Sequence, residues 1–213
     1  MLTLPWPLGR RNIDEALAHL RDGALCVYPT ETVFGLGVVL SAGDAGVARV
    51  RAAKGTQGER PFILLAGSPA MAYSLWTEVP PIALLLGTSV WPGPLTLVGP
   101  ARPGLPQGVL GSVPGPDGPI ATVSVRVPGD AALRQLIGRL EEPLLSTSAN
   151  LAGGPAVTVR DELALDALAP DLFLEAPSCA GGVPSTVLTT LEDPPRILRA
   201  GAWRPTLLGE ETE

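Results

Sequence analysis

The sequence predicts an α/β protein with a mostly buried sheet of mixed direction and helices flanking it. Three observations lead to this prediction. Short apolar runs that stop at proline or glycine alternate with segments of helical period. The 213 residues suffice for one large α/β domain, and no internal repeat or long linker divides them. Hydrophobic residues make up 46% of the chain, which is enough for a sizeable core.

The first half of the chain alternates between helices and strands. The spacing of Asn12 and Glu15 predicts a capped helix start, and Asp22-Gly23 closes that helix. Ala24–Tyr28 is an apolar run that ends at a proline, which predicts a buried strand. The elements expected next are a helix over Ala45–Ala53 that ends at Lys54-Gly55, a strand over Phe62–Ala66, helices over Pro69–Trp76 and Pro81–Val90, and a strand over Leu95–Val98.

The second half begins with Arg102–Pro119, whose Gly and Pro content predicts a surface loop. The elements expected after it are a strand over Ala121–Val127, a helix over Asp130–Leu140, a strand at Leu144–Leu145, a helix over Arg160–Leu168, and strands at Leu172–Leu174, Thr186–Thr189 and Arg196–Leu198. We expect residues 1–213 to form one domain with a core of about 12–201.

Composition excludes several classes of protein. A formal charge of −6 argues against a surface coated for non-specific nucleic-acid binding. Cys26 and Cys179 lack metal-ligand spacing, so we expect two buried thiols in a reducing compartment. The N-terminus has no signal-peptide pattern. Prolines interrupt the uncharged run from Val79 to Ala101, which therefore does not predict a membrane span. We expect a cytoplasmic protein.

Four segments place hydroxyls, glycines and single cations at strand ends, where open α/β sheets bind ligands. The first is Tyr28–Gly37, with two threonines around an acid, although an ordinary turn explains hydroxyls alone. In the second, Lys54 and Arg60 flank a helix end and a strand start. A lysine there is usually a solvated cation, yet it also suits a phosphate.

The third segment is Ser124–Pro128. An arginine within an apolar strand needs an anion, which is either a protein carboxylate or a substrate carboxylate. Burial cost alone does not separate these two alternatives for Arg126. The fourth segment, Ser146–Asn150, is polar and follows an apolar strand, where it could equally cap a turn.

Together and in order, these segments resemble the signatures of the YrdC/TsaC family. The stretches that carry the resemblance are Tyr28–Gly37, Lys54-Gly55 with Pro61, Trp91-Pro92-Gly93-Pro94-Leu95-Thr96, Val125–Pro128, Ser148-Ala149-Asn150 with Gly153 and Pro155, Ser185-Thr186-Val187, and Ile197–Gly201. The similarity runs from about Ile13 to Gly201. It implies a short, single-domain form with a YrdC-like twisted open mixed sheet around a deep, locally positive cavity.

The resemblance implies an L-threonylcarbamoyladenylate synthase, a nucleotidyltransferase that uses L-threonine, bicarbonate and ATP for tRNA modification. A downstream threonylcarbamoyl transferase and tRNA are the implied partners. By similarity, the residues that bind threonine are Thr30, Thr32, Arg126, Ser146 and Ser185. Those that bind ATP are Lys54, Arg60, Thr122, Ser148, Asn150 and Arg199, and Lys54, Ser148 and Asn150 are the implied catalytic residues. Mg²⁺ is expected to come with ATP, since no carboxylate cluster offers a dedicated cage.

Three positions depart from the family pattern. Thr56 stands where the family usually has arginine, Leu65 where some members have histidine, and Ala156 where a serine is usual. We expect Arg60 to replace the charge missing at Thr56. The departures keep open a second hypothesis, a catalytically weakened protein that binds RNA or nucleotide or acts in ribosome maturation. A third, the related domain of hydrogenase-maturation proteins, normally occurs in a longer chain with zinc-finger-like cysteines.

Overall fold

The computed structural model describes residues 1–56, 60–115 and 118–205. Its strands are β1 (Leu2–Pro5), β2 (Cys26–Tyr28), β3 (Gly35–Val39), β4 (Ile63–Leu65), β5 (Leu95–Pro100), β6 (Leu110–Val113), β7 (Ile120–Arg126), β8 (Leu144–Ser148), β9 (Leu172–Glu175), β10 (Thr186–Thr189) and β11 (Arg196–Arg199). Its helices are α1 (Arg10–Arg21), α2 (Gly43–Lys54), α3 (Pro69–Tyr73), α4 (Pro81–Val90), α5 (Ala131–Leu140) and α6 (Leu165–Leu168).

All the strands of the described part belong to one open sheet, in the order β1-β9-β2-β3-β8-β4-β7-β5-β10-β11. The pairs β1–β9, β2–β9, β4–β7 and β5–β10 are parallel, and the other neighbours are antiparallel. β6 also pairs with β7, along the part of that strand that precedes its contact with β4. This confirms the prediction of an α/β fold with a mixed sheet.

The core lies on both faces of the sheet. Successive residues of β2 point to opposite faces: Val27 joins one apolar cluster, and Cys26 and Tyr28 join the other. Helices α1 and α5 complete the second cluster, whereas α2 and α4 contribute to the first. None of the helices in the described residues is long and apolar enough to cross a membrane.

The start of α1 differs from the prediction. The helix begins at Arg10, its cap residue is Gly9, and no side chain caps it. The backbone N–H groups of Asn12 and Ile13 both donate to the Gly9 carbonyl, so Asn12 lies within the first turn. Arginine is a good helix former, and the two arginines before Asn12 extend the helix. The predicted end, at Asp22-Gly23, is confirmed, with Gly23 at φ 78°.

Three strands were not predicted. β1 pairs in parallel with β9, so the sheet extends beyond the predicted core boundary at residue 12. β3 begins within the segment Tyr28–Gly37, for which an ordinary turn was one interpretation. β6 lies within the predicted loop 102–119, whose residues 116–117 are outside the described part. The predicted helix 160–168 is two short pieces, a 3₁₀ turn at Arg160–Glu162 and α6.

Candidate active site

One cavity lies over the central strands β3, β8, β4 and β7, which are consecutive neighbours in the sheet. Its volume of about 480 Å³ falls within the range of ordinary ligand sites. The residues that line it are Thr30, Thr32, Val33, Phe34, Gly35, Lys54, Thr56, Arg60, Pro61, Phe62, Ile63, Leu65, Arg126, Ser146, Thr147, Ser148, Asn150, Ala152, Gly153, Pro184, Ser185 and Arg199. The structure therefore brings together every predicted site residue except Thr122.

Thr122 lies on β7 four residues before Arg126, on the same face of that strand. It is buried in the sheet opposite Gly111 of β6 and does not line the cavity. Its contact with ATP, implied by the family resemblance, stays a prediction that this placement does not support. Ala156, which lies where the family usually has serine, is also absent from the lining residues.

Arg126 is the last residue of β7, and its side chain is buried. Its Nε donates to the Gly93 carbonyl at 3.1 Å, and both of its terminal nitrogens lie 3.2 Å from the Thr32 hydroxyl. Nη2 also forms an ion pair with Glu31 Oε1 at 2.5 Å. Of the two alternatives for the anion beside Arg126, the structure shows the protein carboxylate. The guanidinium nevertheless faces the cavity and lines it.

Glu31 connects the turn after β2 to the turn after β7. Its Oε2 accepts from the backbone N–H of Asp130 at 3.3 Å. Gly129 leaves room for this contact, because a Cβ there would come within 2.9 Å of the Glu31 carboxyl group. Burial raises the pKa of Glu31, but the Arg126 charge and the hydrogen bonds outweigh it, so the pKa lies below its ordinary value.

The two threonines of this turn have different roles. Thr30 Oγ1 donates to the Val33 carbonyl at 2.7 Å and accepts from the backbone N–H groups of Thr32 and Val33. Its bonding is therefore mostly local, and it shapes the turn. Thr32 Oγ1 lies between Thr30 and the Arg126 guanidinium, at 2.8 Å and 3.2 Å. Of the two hydroxyls, Thr32 is the one held against the buried cation.

Ser146, on β8, is positioned by a buried tyrosine. Tyr28 donates its hydroxyl hydrogen to Ser146 Oγ at 2.7 Å. The tyrosine ring crosses β3 where Gly35 and Gly37 have no side chains, and a Cβ on Gly35 would lie 2.5 Å from the ring. Burial raises the pKa of Tyr28 well above its ordinary value, so it remains a donor at neutral pH.

Ser185, another lining residue, is held by two partners. Its hydroxyl lies 2.8 Å from that of Thr96, which the sheet buries completely. Arg199 donates to the Ser185 carbonyl at 2.9 Å and lies 3.3 Å from its hydroxyl. Burial, and then the charge of Arg126, lower the pKa of Arg199. The two arginines, which both line the cavity, therefore repel each other, and an anion bound there would relieve that repulsion.

Lys54 ends α2, with Gly55 in the left-handed conformation after it. Its ammonium donates to the carbonyls of Ser148 and Asn150, at 2.7 and 2.8 Å. Burial lowers its pKa to about 8, so the side chain is mostly charged at neutral pH. Ser148 Oγ donates to the Asn150 side-chain oxygen, and the Asn150 amide donates to the Gly154 carbonyl at 2.8 Å. The hydrogen bonds of Lys54 therefore fix the segment from Ser148 to Asn150, and this segment in turn fixes the lysine side chain.

The cavity has a strongly positive lining. Lys54, Arg60, Arg126 and Arg199 all contribute to it, and the lining residues in the described part of the chain include no Asp or Glu. Glu31, which pairs with Arg126, is not itself among the lining residues. Such a lining suits a ligand with several negative charges, such as a polyphosphate with a carboxylate. Leu65 and Ile63 give one wall an apolar surface.

Sequence reasoning did not assign roles to Glu31, Tyr28 and Thr96, which hold Arg126, Ser146 and Ser185 in place. A polar residue within an apolar run signals a buried hydrogen bond. That signal marks Thr96 between Leu95 and Leu97 and Tyr28 after Val27. It does not name the partner, because each partner is 89 or more residues away along the chain.

Comparisons with known proteins agree with this geometry. Residues 18–201 match the model of the Sua5/YciO/YrdC domain, whose description reads "Telomere recombination". The threonylcarbamoyl-AMP synthase of Pyrococcus abyssi is 34% identical over 198 residues, which are 90% of this chain and 56% of that protein. The threonylcarbamoyl-AMP synthase of Bacillus subtilis is 33% identical over 193 residues, which are 89% of this chain and 53% of that protein.

A solved structure shows the same fold. The crystal structure of Pyrococcus abyssi Sua5 complexed with L-threonine superposes with a TM-score of 0.81 at 31% identity, and the match covers 94% of this chain and 57% of that one. The chain thus spans about half the length of these relatives. The match of the family model, the sequence identity and the fold lead to one conclusion. The chain belongs to the Sua5/YciO/YrdC family.

Proposed function

We propose that this protein is a nucleotidyltransferase that makes threonylcarbamoyl-AMP and pyrophosphate from L-threonine, bicarbonate and ATP. The observation that carries the proposal is the cavity, where four cations and several fixed hydroxyls converge and which no acidic residue of the described part lines. The relatives named threonylcarbamoyl-AMP synthase support the reaction, and the relative complexed with L-threonine supports the substrate. The product would serve threonylcarbamoyladenosine modification of tRNA through a downstream transferase.

The amino acid belongs at the Arg126 end of the cavity in this proposal. The guanidinium would receive the carboxylate, while Thr32, Ser146 and Ser185 surround the rest of the molecule. The hydrogen bonds to Thr32 and Glu31 leave one N–H of Nη1 unassigned among the described contacts. A bidentate carboxylate therefore requires Thr32 or Glu31 to give way, which makes this turn the part of the site that adjusts.

The triphosphate belongs at the Lys54 end, with Arg60, Ser148 and Asn150 beside it, and Arg199, which is bonded to Ser185, would reach it from the amino-acid end. The threonine amine would attack the carbon of bicarbonate, and loss of water would leave a carbamate on the amine. A carbamate oxygen then attacks the α-phosphorus, the bond to the bridging oxygen breaks, and pyrophosphate leaves. This step needs positive charge on the phosphates and a fixed line of attack. We expect Mg²⁺ to come with ATP; the described residues contain no group of three or more His, Cys, Asp or Glu side chains suited to a metal ion.

The deciding experiment is pyrophosphate release from ATP with threonine and bicarbonate present or omitted one at a time. We expect release only when all three substrates are present, and product of the mass of threonylcarbamoyl-AMP. Arg126→Gln should abolish the pyrophosphate release that depends on threonine. Arg196→Gln, on the exposed β11 edge, is the control and should leave that release unchanged. If the wild type binds ATP but releases no pyrophosphate with threonine, the weakened, binding-only alternative stands instead.

That alternative has one specific observation in its favour. Thr56 and Leu65, two of the departures from the family pattern, line the cavity, so they change the site itself. We infer that Arg60, which also lines the cavity, supplies the charge that Thr56 does not. Arg60→Ala should then weaken ATP binding at least tenfold. An unchanged affinity would show that Arg60 does not compensate.

A further inference from the structure

Arg51 is a cation that the proposed chemistry does not use. It lies on α2 between Val47 and Lys54, four residues after the first and three before the second, so all three share one face of the helix. Both neighbours are buried, and Arg51 is half-buried. Its Nε is the only buried side-chain polar atom of the described residues that has no hydrogen-bond partner.

Arg51 is not itself among the residues that line the cavity, but it packs on one that is. The centre of its guanidinium lies over the Phe62 ring, 5.8 Å from the ring centroid, and Phe62 lines the cavity. The Arg51 carbonyl accepts from the backbone N–H of Thr56 at 3.1 Å, and Thr56 lines the cavity too. Arg51 is therefore joined to the same wall as Lys54 and Arg60, through both its side chain and its backbone.

A second arginine of α2, Arg49, has both an ion pair and a hydrogen bond within the protein. Arg49 pairs with Asp171 at 2.5 Å and donates to the Gly23 carbonyl at 3.2 Å. Arg51 has neither kind of contact among the described residues, although it is the more buried of the two. A buried N–H without an acceptor costs free energy, so it signals a missing acceptor.

We propose that Arg51 is a further phosphate-binding residue, whose guanidinium moves from the Phe62 ring to contact the outermost phosphate of a nucleotide bound in the adjoining cavity. The planar guanidinium fork matches phosphate oxygens, and the adjoining cavity lining is cationic. Arg51 should therefore strengthen the binding of ATP but not of AMP, because the single phosphate of AMP lies nearer the reacting carbamate and farther from Arg51. This inference deepens the proposed function and rests on it.

Calorimetric binding of ATP, AMP and inorganic pyrophosphate tests the inference on the full chain. The variants are Arg51→Gln, Arg51→Lys and the matched control Arg49→Gln. We expect Arg51→Gln to weaken ATP and pyrophosphate binding about 10- to 100-fold, which is the usual effect of a lost charged hydrogen bond. Arg51→Lys should lie between it and the wild type. AMP binding should stay within about twofold, and Arg49→Gln should match the wild type for all three ligands.

Several outcomes separate this inference from the proposed function. If Arg51→Gln and Arg49→Gln bind ATP and pyrophosphate equally well, Arg51 does not bind phosphate and only packs on Phe62. Equal losses for AMP and ATP would also overturn the inference, because they would show a general disturbance of the site. If Arg51→Gln does not fold, the comparison of Arg51→Lys with the wild type decides. If the wild-type protein binds pyrophosphate but not ATP, the proposed function is wrong. The effect of Arg51→Gln on pyrophosphate binding would still test the role of Arg51.

Discussion

Glu31 and Arg126 form an ion pair beside the cavity. Each member of the pair stabilises the charge of the other. Removing one member of a buried pair leaves the other with an unmatched charge. Without Glu31, Arg126 would also lack hydrogen-bond acceptors, because Gly93 and Thr32 accept from only some of its five N–H donors. The acid between the two threonines is therefore a structural part of the site.

We predict that Glu31→Gln lowers the free energy of unfolding by about 1–3 kcal/mol, because a neutral acceptor replaces a carboxylate beside a buried guanidinium. Urea denaturation at pH 7 measures it. The folded-state pKa of Glu31 lies below its unfolded value, so its contribution is present above the usual carboxyl range and is lost as pH falls through the lowered pKa. Glu192→Gln, in the exposed pair with Arg196, is the control and should leave stability unchanged. Equal effects of both substitutions would contradict the prediction.

Lys54 makes the affinity for ATP dependent on pH. Its pKa of about 8 means that the ammonium loses its proton as pH rises from 7 to 9. We predict that ATP binding, measured by calorimetry, weakens about tenfold over this interval, because one charged hydrogen bond is lost. Lys54→Met should bind ATP weakly at both pH values. A wild type whose affinity does not change with pH would count against the role of Lys54.

At the scale of elements, β3 shows a close approach that only glycine permits. A Cβ at Gly37 would lie 2.0 Å from the Leu145 carbonyl oxygen of β8 and 3.0 Å from the Tyr28 hydroxyl. We predict that Gly37→Ala costs at least about 2 kcal/mol, because β3 and β8 must separate and displace Ser146. Thermal unfolding measures the loss.

Gly138 is the matched glycine for this comparison. It lies within α5, and a Cβ there would meet nothing within 4 Å. Gly138→Ala should therefore stabilise the protein by about 0.5–1 kcal/mol, since alanine favours the helix. If the two substitutions had the same sign, the backbone approach at Gly37 would not be the cause.

The elements also show where sequence patterns suffice. α4 and β10 have the predicted bounds, because prolines and polar residues at their ends stop them. β3 was not predicted, and its two glycines are explained only by the Tyr28 ring and the β8 backbone that lie against them. β6 was missed because Leu-Gly-Ser-Val has no clear alternation, and its pairing with β7 is a long-range contact.

At the scale of the whole molecule, the cavity depends on the order of strands. Ten of the eleven predicted site residues line it, although they lie as far apart along the chain as Thr30 and Arg199. Their chemistry could be read from the sequence, with the help of the family resemblance. Their arrangement could not, because β8 comes between β3 and β4 only in the folded sheet. The pairing of Arg126 with Glu31 is one consequence that no local pattern predicts.

Because the site joins distant segments, its ligands should stabilise the whole chain. A ligand at 100 times its Kd adds about 2.7 kcal/mol to the stability of the folded state. For a chain of this length we predict a rise in Tm of about 5–10 °C, with either threonine or ATP at that excess. The two ligands occupy opposite ends of the cavity in the proposed function, so their effects should be separable by substitution.

The separation is tested with two variants and both ligands in differential scanning fluorimetry. Arg126→Gln should lose the shift with threonine and keep that with ATP, whereas Lys54→Met should lose the shift with ATP and keep that with threonine. Both parts are needed, because a variant that is merely unstable would change the baseline Tm without distinguishing the ligands. If either substitution abolished both shifts equally, the two ends would not be distinct sites. The division of the cavity into an amino-acid end and a phosphate end would then be wrong.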